Sequence, residues 1–182
     1  YDLKDYEKNP NRSEWGWASN NSVLAEIGMD YSEIEERIRK KGEPGLVWLD
    51  NMRAFGRMGD PANNKDRRVM GANPCVELSL ESYELCNLVE TFPDHHENLD
   101  DFLRTQKFAY MYGKTVALAE THCAETNKVL LRNRRIGLSM SGISQFVARR
   151  GLDELLEWSE AAYERVQKHD EVYSDEWFAV PR

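Results

Sequence analysis

The apolar positions divide the chain into two unlike halves. In the first half they come in short runs between turn signals. Ser22 to Ile27 is a brief apolar patch that predicts a buried strand. Ser32 and Glu35 have the S-x-x-E spacing of a capping box, Ile34 and Ile38 lie four apart, and Gly42 stands where a C-cap belongs, so a helix is expected between them. Glu43-Pro44-Gly45 then turns the chain into Leu46-Val47-Trp48-Leu49, a second short strand. Residues 1–17 are polar and turn-rich, broken at Asn9-Pro10-Asn11, with Trp15 and Trp17 close enough to suggest a loop laid on a neighbour. Residues 56–72 read as loop, and 73–89 as an irregular loop entering a short strand near Cys86–Val89.

The second half is expected to be helical. Leu99 to Thr126, begun by Asn98 or Asp100, sets Phe102, Ala109, Tyr112, Val116 and Ala119 on roughly one face. Arg135 to Arg150 alternates small and apolar residues, with Gly137 and Gly142 marking close backbone approach. Asp153 to Tyr173 forms a third helix with Leu155, Leu156, Ala162, Tyr163 and Val166 inward. Strand, helix, strand, loop and then long helices is an α/β order. Two or three strands are too few to close a buried parallel sheet, so the chain reads as a piece of a larger fold. The ends fit that expectation: it starts at Tyr1 with no initiator Met or signal-peptide pattern, and stops at Val180-Pro181-Arg182 straight after a helical pattern.

Composition narrows the function. Of 182 residues, 41% are hydrophobic and 31% charged, which supports a packed core and argues against wholesale disorder. Lys and Arg number 24 against 32 Asp and Glu, a net charge of −8 that argues against a nucleic-acid partner. No apolar run approaches the roughly 18–20 residues that span a bilayer, so no membrane association is expected. Three cysteines, Cys75, Cys86 and Cys123, are too few, and odd in number, for a disulfide scaffold. A reducing, cytoplasmic setting follows as the expectation.

Asn73-Pro74-Cys75-Val76-Glu77 is the most unusual stretch. Pro74 fixes its own φ and pushes Asn73 toward extended geometry. In an extended segment the side chains of residues 73, 75 and 77 point one way. An amide, a thiol and a carboxylate then converge on one small polar ligand: Cys75 for sulfur chemistry, Glu77 to take a proton from a hydroxyl, Asn73 to hold a second hydroxyl. On spacing alone a loop cysteine packed as a small hydrophobe beside an Asn-Pro turn is the commoner outcome. Cys86 lies eleven residues beyond Cys75, too far for a C-x-x-C motif, and on composition reads as a buried thiol. No metal site is expected: His95 and His96 are adjacent and read as a solvated loop, His122 and His169 fall on predicted helices, and Cys123 reads as a helical core residue. Arg132-Asn133-Arg134-Arg135 could hold phosphate, but an exposed helix boundary is the simpler expectation.

Several stretches together resemble one family. Gly71 to Leu78, continuing through Tyr83-Glu84-Leu85-Cys86-Asn87, is similar to the active-site finger loop of ribonucleotide reductase large subunits, above all the adenosylcobalamin-dependent (class II) branch of monomeric type. Trp17-Ala18-Ser19-Asn20-Asn21-Ser22-Val23 and Asn133-Arg134-Arg135-Ile136-Gly137-Leu138-Ser139, with Ser141-Gly142-Ile143, agree in family order.

The resemblance implies part of a ten-stranded α/β barrel across residues 1–182, with a finger loop at about 70–90 and a helical part at about 98–175. It implies a cobalamin-derived deoxyadenosyl radical that turns Cys75 into a thiyl, which takes the 3′ hydrogen of a ribonucleotide, most simply a triphosphate. Glu77 then serves as general base and Asn73 orients the ribose hydroxyls. Water leaves C2′, and Cys86 is one member of a redox-active cysteine pair restored by thioredoxin or another dithiol. A barrel interior shields such radicals from solvent. The pair's other cysteine, the phosphate loop, the tail cysteines and any effector domain have no match here, and no residue is assigned to hold the cofactor. The isolated segment is therefore expected to be inactive without the rest of the reductase or complementary fragments. The alternatives are a class I, metal-subunit-dependent reductase segment, and a helical binding module that keeps the motif without activity.

Overall fold

The computed structural model describes residues 2–56 and 59–178, with the side chains of 177 and 178 set aside. The end of the chain at 180–182 lies outside the described residues, as do residues 57 and 58 of the loop expected at 56–72. The chain forms two compact units, residues 1–82 and 83–182.

The first unit is a small βαβ arrangement followed by a hairpin. β1 (Ser22–Leu24) and β2 (Gly45–Val47) pair in parallel, and α1 (Ser32–Lys41) supplies the crossover that parallel pairing requires. Gly42 ends α1 in the left-handed region at φ +73, as its position predicts. The capping box does not form. Ser32 lies inside the helix, and its hydroxyl and N–H both donate to Asp30 Oδ1. The first strand is less buried than expected: Leu24 and Ile27 are exposed, and the small core is Ala25, Ile34, Val47 and Val69. Trp48 and Leu49 leave the second strand and start a short helix, α2 (Leu49–Ala54). The hairpin is β3 (Gly71–Ala72) with β4 (Ser79–Leu80).

The second unit departs further from a purely helical expectation. β5 (Asn87–Thr91) pairs in parallel with β6 (Ile136–Met140) over five residues, and the crossover runs through α3 (Leu99–Val116) and α4 (Ala124–Asn133). The stretch expected as helix from Arg135 to Arg150 is thus strand β6 followed by α5 (Ile143–Arg150). Ile136, Leu138 and Met140 alternate with Gly137 and Ser139, a strand period confined to five residues, and pairing with β5 decides. Gly142 serves its left-handed φ of +79 before α5 rather than close approach, since a Cβ there would meet nothing nearer than 3.9 Å. Close approach belongs to Gly113: a Cβ on it would lie 3.3 Å from Val89 Cγ2, so α3 lies tight on the strand pair.

The helix expected over 99–126 begins at Asn98, whose side chain accepts from Asp101 N–H, but stops at Val116. Thr121 and Asn127 exchange side-chain and backbone hydrogen bonds there, a local alternative to helical pairing. The buried face of α3 is Phe102, Leu103, Gln106, Ala109, Tyr110, Gly113 and Lys114, whereas Tyr112 and Val116 are exposed. On α6 (Leu152–Tyr173) the inward residues are Leu155, Trp158 and Ala162, with Leu156 and Tyr163 turned outward. Phe102, Leu103, Phe146, Leu155, Trp158 and Ala162 form the core, with Trp158 stacked on Phe102 at 5.5 Å and edge-on to Phe146 at 4.9 Å.

One polar cluster joins α3 to α6. Tyr110 Oη and Lys114 Nζ donate to Asp170 Oδ1 at 2.8 and 3.1 Å, and Ser174 Oγ does so at 2.9 Å. Burial pushes the Asp170 carboxyl up, but these three donors and the Lys114 charge outweigh it and hold its pKa below the ordinary value. A carboxyl lowered in the folded state stabilises above its unfolded pKa, near 3.9, and that stability is lost as pH falls through the folded value. We therefore expect Asp170→Asn to flatten the acid limb of stability below about pH 4. At neutral pH it should cost about 2–3 kcal/mol, because it removes the carboxylate charge that accepts from Tyr110, the buried Lys114 and Ser174. Denaturant unfolding across pH 2–7 measures both, and an unchanged acid limb would exclude Asp170 as its source.

Candidate active site

The hairpin builds the candidate site. Its ladder runs from Met70 N–H to the Leu80 carbonyl at 3.0 Å, through the β3–β4 pairs, to Asn73 N–H and the Leu78 carbonyl at 3.0 Å. The connection between Asn73 and Leu78 is a tight loop. Pro74 sets the first turn position, and Val76 N–H donates to the Asn73 carbonyl at 3.0 Å, closing a four-residue turn. Val76 lies at φ +65, a region costing a β-branched residue on the order of 1–3 kcal/mol. That kink reverses the chain and returns Glu77 toward Asn73.

The result corrects the expected extended geometry. Residues 73–77 do not alternate along a strand; the turn brings Asn73 and Glu77 together and leaves Cys75 at the tip. Asn73 is buried and fixed at both ends of its amide. Its Oδ1 accepts from Leu78 N–H at 3.1 Å, and its Nδ2 donates to Glu77 Oε1. Cys75 and Glu77 are exposed. The carboxylate is thus held by a neutral amide whose nitrogen carries a second N–H. A proton acceptor, a hydroxyl-binding amide and an accessible thiol share one six-residue loop.

Cys86 belongs to the second unit, half-buried and directly before β5. All three cysteines are thiols. Cys123 is not inside a helix: it is the N-cap of α4, and its thiol donates to Glu125 Oε2 at 3.5 Å. His122 lies in the bend before it, outside any helix. His96 is tied down, with Nε2 2.8 Å from Thr105 Oγ1 and its ring edge-on to Phe102. Among the described residues no group of three or more His, Cys, Asp or Glu side chains is placed to hold a metal ion, and no helix is long and apolar enough to cross a membrane.

The Arg132–Arg135 run is not simply an exposed helix boundary. Arg134 ends α4 in the left-handed region and donates to the Ala117 carbonyl at 2.9 Å. Asn133 and Arg135 both donate to Glu84, a fully buried carboxylate that sequence reasoning passed over. Its partners stand 49 and 51 residues away, so no local spacing announces the pair.

The chain is similar along its whole length to known proteins. It is 57% identical over 182 residues to a probable adenosylcobalamin-dependent ribonucleoside-triphosphate reductase of Dictyostelium discoideum, covering all of this chain and 24% of that protein. It is 56% identical over 179 residues to the adenosylcobalamin-dependent ribonucleoside-triphosphate reductase of Euglena gracilis, again covering 24% of it. The enzyme of that name from Lactobacillus leichmannii is 39% identical over 137 residues. A crystal structure of a B12-dependent (class II) ribonucleotide reductase superposes with a TM-score of 0.79 at 29% identity, over 95% of this chain and 28% of that one. No protein-family model matches. The chain thus spans about a quarter of the curated relatives' length. These named relatives are adenosylcobalamin-dependent, which favours class II over the class I alternative. In sequence and in fold, the chain matches a segment of adenosylcobalamin-dependent (class II) ribonucleotide reductases.

Proposed function

We propose that the chain carries the radical-bearing hairpin of an enzyme that converts ribonucleoside triphosphates to 2′-deoxyribonucleotides. The observation that carries this reading is the Asn73–Glu77 hydrogen bond beneath an exposed Cys75, within a segment of that family. Cys75 takes the 3′ hydrogen of the ribose as a thiyl radical. Glu77 removes the proton of the 3′ hydroxyl, and the second N–H of Asn73 binds a ribose hydroxyl. The C2′ hydroxyl leaves as water. Two cysteine thiols, Cys86 among them, lose two electrons and two protons to become a disulfide, and thioredoxin or another dithiol reduces it.

Bound adenosylcobalamin supplies the one-electron oxidation of the Cys75 thiol. The exposed tip fits a radical source outside the hairpin. Two parallel strand pairs, each with a helical crossover, support reading the chain as part of a ten-stranded barrel, and its three free thiols support a reducing, cytoplasmic setting. The barrel keeps the thiyl from solvent.

A single cysteine of the reducing pair and a quarter of the relatives' length make the isolated chain inactive in this reading. Deoxynucleotide formation is assayed with adenosylcobalamin and a dithiol, without any metal subunit, on the chain alone and on the intact protein. Activity confined to the intact protein is the expected result. Multiple turnovers by the chain alone, or none by the intact protein, would overturn it.

A further inference from the structure

We propose that Glu84 is a positioning residue for Cys86: its buried carboxylate, held by Asn133 and Arg135, fixes the segment that presents this thiol. This rests on the reading of Cys86 as a member of the reducing pair.

The Glu84 side chain is wholly buried. Its Oε1 accepts from Asn133 Nδ2 at 2.8 Å and from Arg135 Nε at 2.9 Å. Arg135 directly precedes β6, Cys86 directly precedes β5, and the first rung between these strands pairs Asn87 with Ile136. The ion pair therefore closes the ladder just ahead of its first rung. On the other side of Cys86, Asn87 Nδ2 donates to the Gly113 carbonyl at 2.9 Å, which ties the strand to α3. Cys86 is held between two anchors two residues and one residue away. Directly upstream of Glu84, Tyr83 is exposed and takes a left-handed φ of +64.

A buried ion pair is a poor stabiliser compared with an apolar replacement, but it fixes geometry well because any other arrangement strands a charge. A disulfide demands such geometry, with Cα atoms about 4.4–6.8 Å apart and a restricted dihedral. A strand end that frays would meet it only part of the time. Glu84 touches neither substrate nor cofactor in this account; it acts through Cys86.

The test measures iodoacetamide labelling of each cysteine in the intact protein, by peptide mass spectrometry under native conditions. Glu84→Ala removes the ion pair and both hydrogen bonds to the carboxylate, and should raise the Cys86 rate about tenfold. Asn133→Ala keeps the ion pair and removes one of the two hydrogen bonds to Glu84, and should raise the rate about threefold. Cys75 and Cys123 should be unchanged in both. An unchanged Cys86 rate in either folded variant overturns the proposal, as does an equal rise at all three cysteines, which marks general loosening. If Glu84→Ala does not fold, Asn133→Ala decides by the same criteria. A kinetic arm follows: Glu84→Ala should lower kcat with KM for the ribonucleotide unchanged, and a rise in KM alone counts against positioning of the thiol. Cys86→Ser separates the premise. Sustained reduction by Cys86→Ser refutes Cys86 as a reducing thiol and with it the catalytic part of this proposal, whereas labelling reports on the anchor alone.

Discussion

On the proposed function, Cys75→Ser is expected to abolish ribonucleotide reduction in the intact protein and to leave its fold in place. The thiol lies exposed at the tip of the hairpin, where no core depends on its volume. The backbone hydrogen bonds that shape the loop belong to Asn73, Val76 and Leu78, and the side-chain bonds to Asn73 and Glu77, so a hydroxyl at position 75 disturbs none of them. What changes is the bond to hydrogen. An S–H bond is weak enough to be broken by a carbon radical and to be reformed at the expense of the ribose 3′ C–H. An O–H bond is too strong for the first of these steps, so the chain reaction does not begin. The measurement is deoxynucleotide formation beside circular dichroism of the same sample. Turnover above background in a folded Cys75→Ser protein would remove Cys75 from the radical role, and with it the proposed function.

On the same reading, Glu77→Gln is expected to lower the chemical step by about 10²–10⁴, the usual worth of a positioned general base. Here the structure makes the substitution clean. Glu77 Oε1 accepts from the Asn73 amide, and a glutamine oxygen accepts the same hydrogen bond. The hairpin therefore keeps its shape, Asn73 keeps its second N–H for substrate, and only proton acceptance is lost. The loss should fall on kcat with little change in KM, because the interaction belongs to the transition state. Rates are compared under single-turnover conditions so that disulfide reduction does not mask the step. An unchanged rate would show that the 3′ proton goes elsewhere. A large rise in KM would show that the carboxylate binds substrate instead.

Much of this site is legible in the residues themselves. An amide, a thiol and a carboxylate within five positions, with Pro74 among them, mark the loop, and the resemblance of the flanking stretches supplies the family. The termination of α1 at Gly42 and the start of α3 at Asn98 were equally readable, because caps are local chemistry between residues at most a few positions apart. So was the inward face of α6 at Leu155 and Ala162.

Interactions over longer distances, or between competing local partners, were decided by the folded chain. The strand at Ile136–Met140 alternates apolar and small residues over only five positions, and it is a strand because Asn87–Thr91 lies beside it. The buried face of α3 was misplaced for a related reason. Gln106 and Lys114 are polar, yet they face inward because Thr91 and Asp170 wait there as partners. The capping box at Ser32 failed because α1 begins one residue early: Tyr31 is its N-cap, and the Glu35 N–H donates to the Tyr31 carbonyl. Even the five-residue site needed the fold. An alternating pattern implies an extended segment, whereas the turn at Val76 and the hairpin bonds from Asn73 to Leu78 join Asn73 to Glu77 and leave Cys75 at the tip. Residue identity determined which chemistry is proposed for this protein. Contacts 15 to about 50 residues apart, together with the ladder of a two-residue hairpin, determined where that chemistry stands, because burial and hydrogen-bond satisfaction depend on which partners the folded chain brings near.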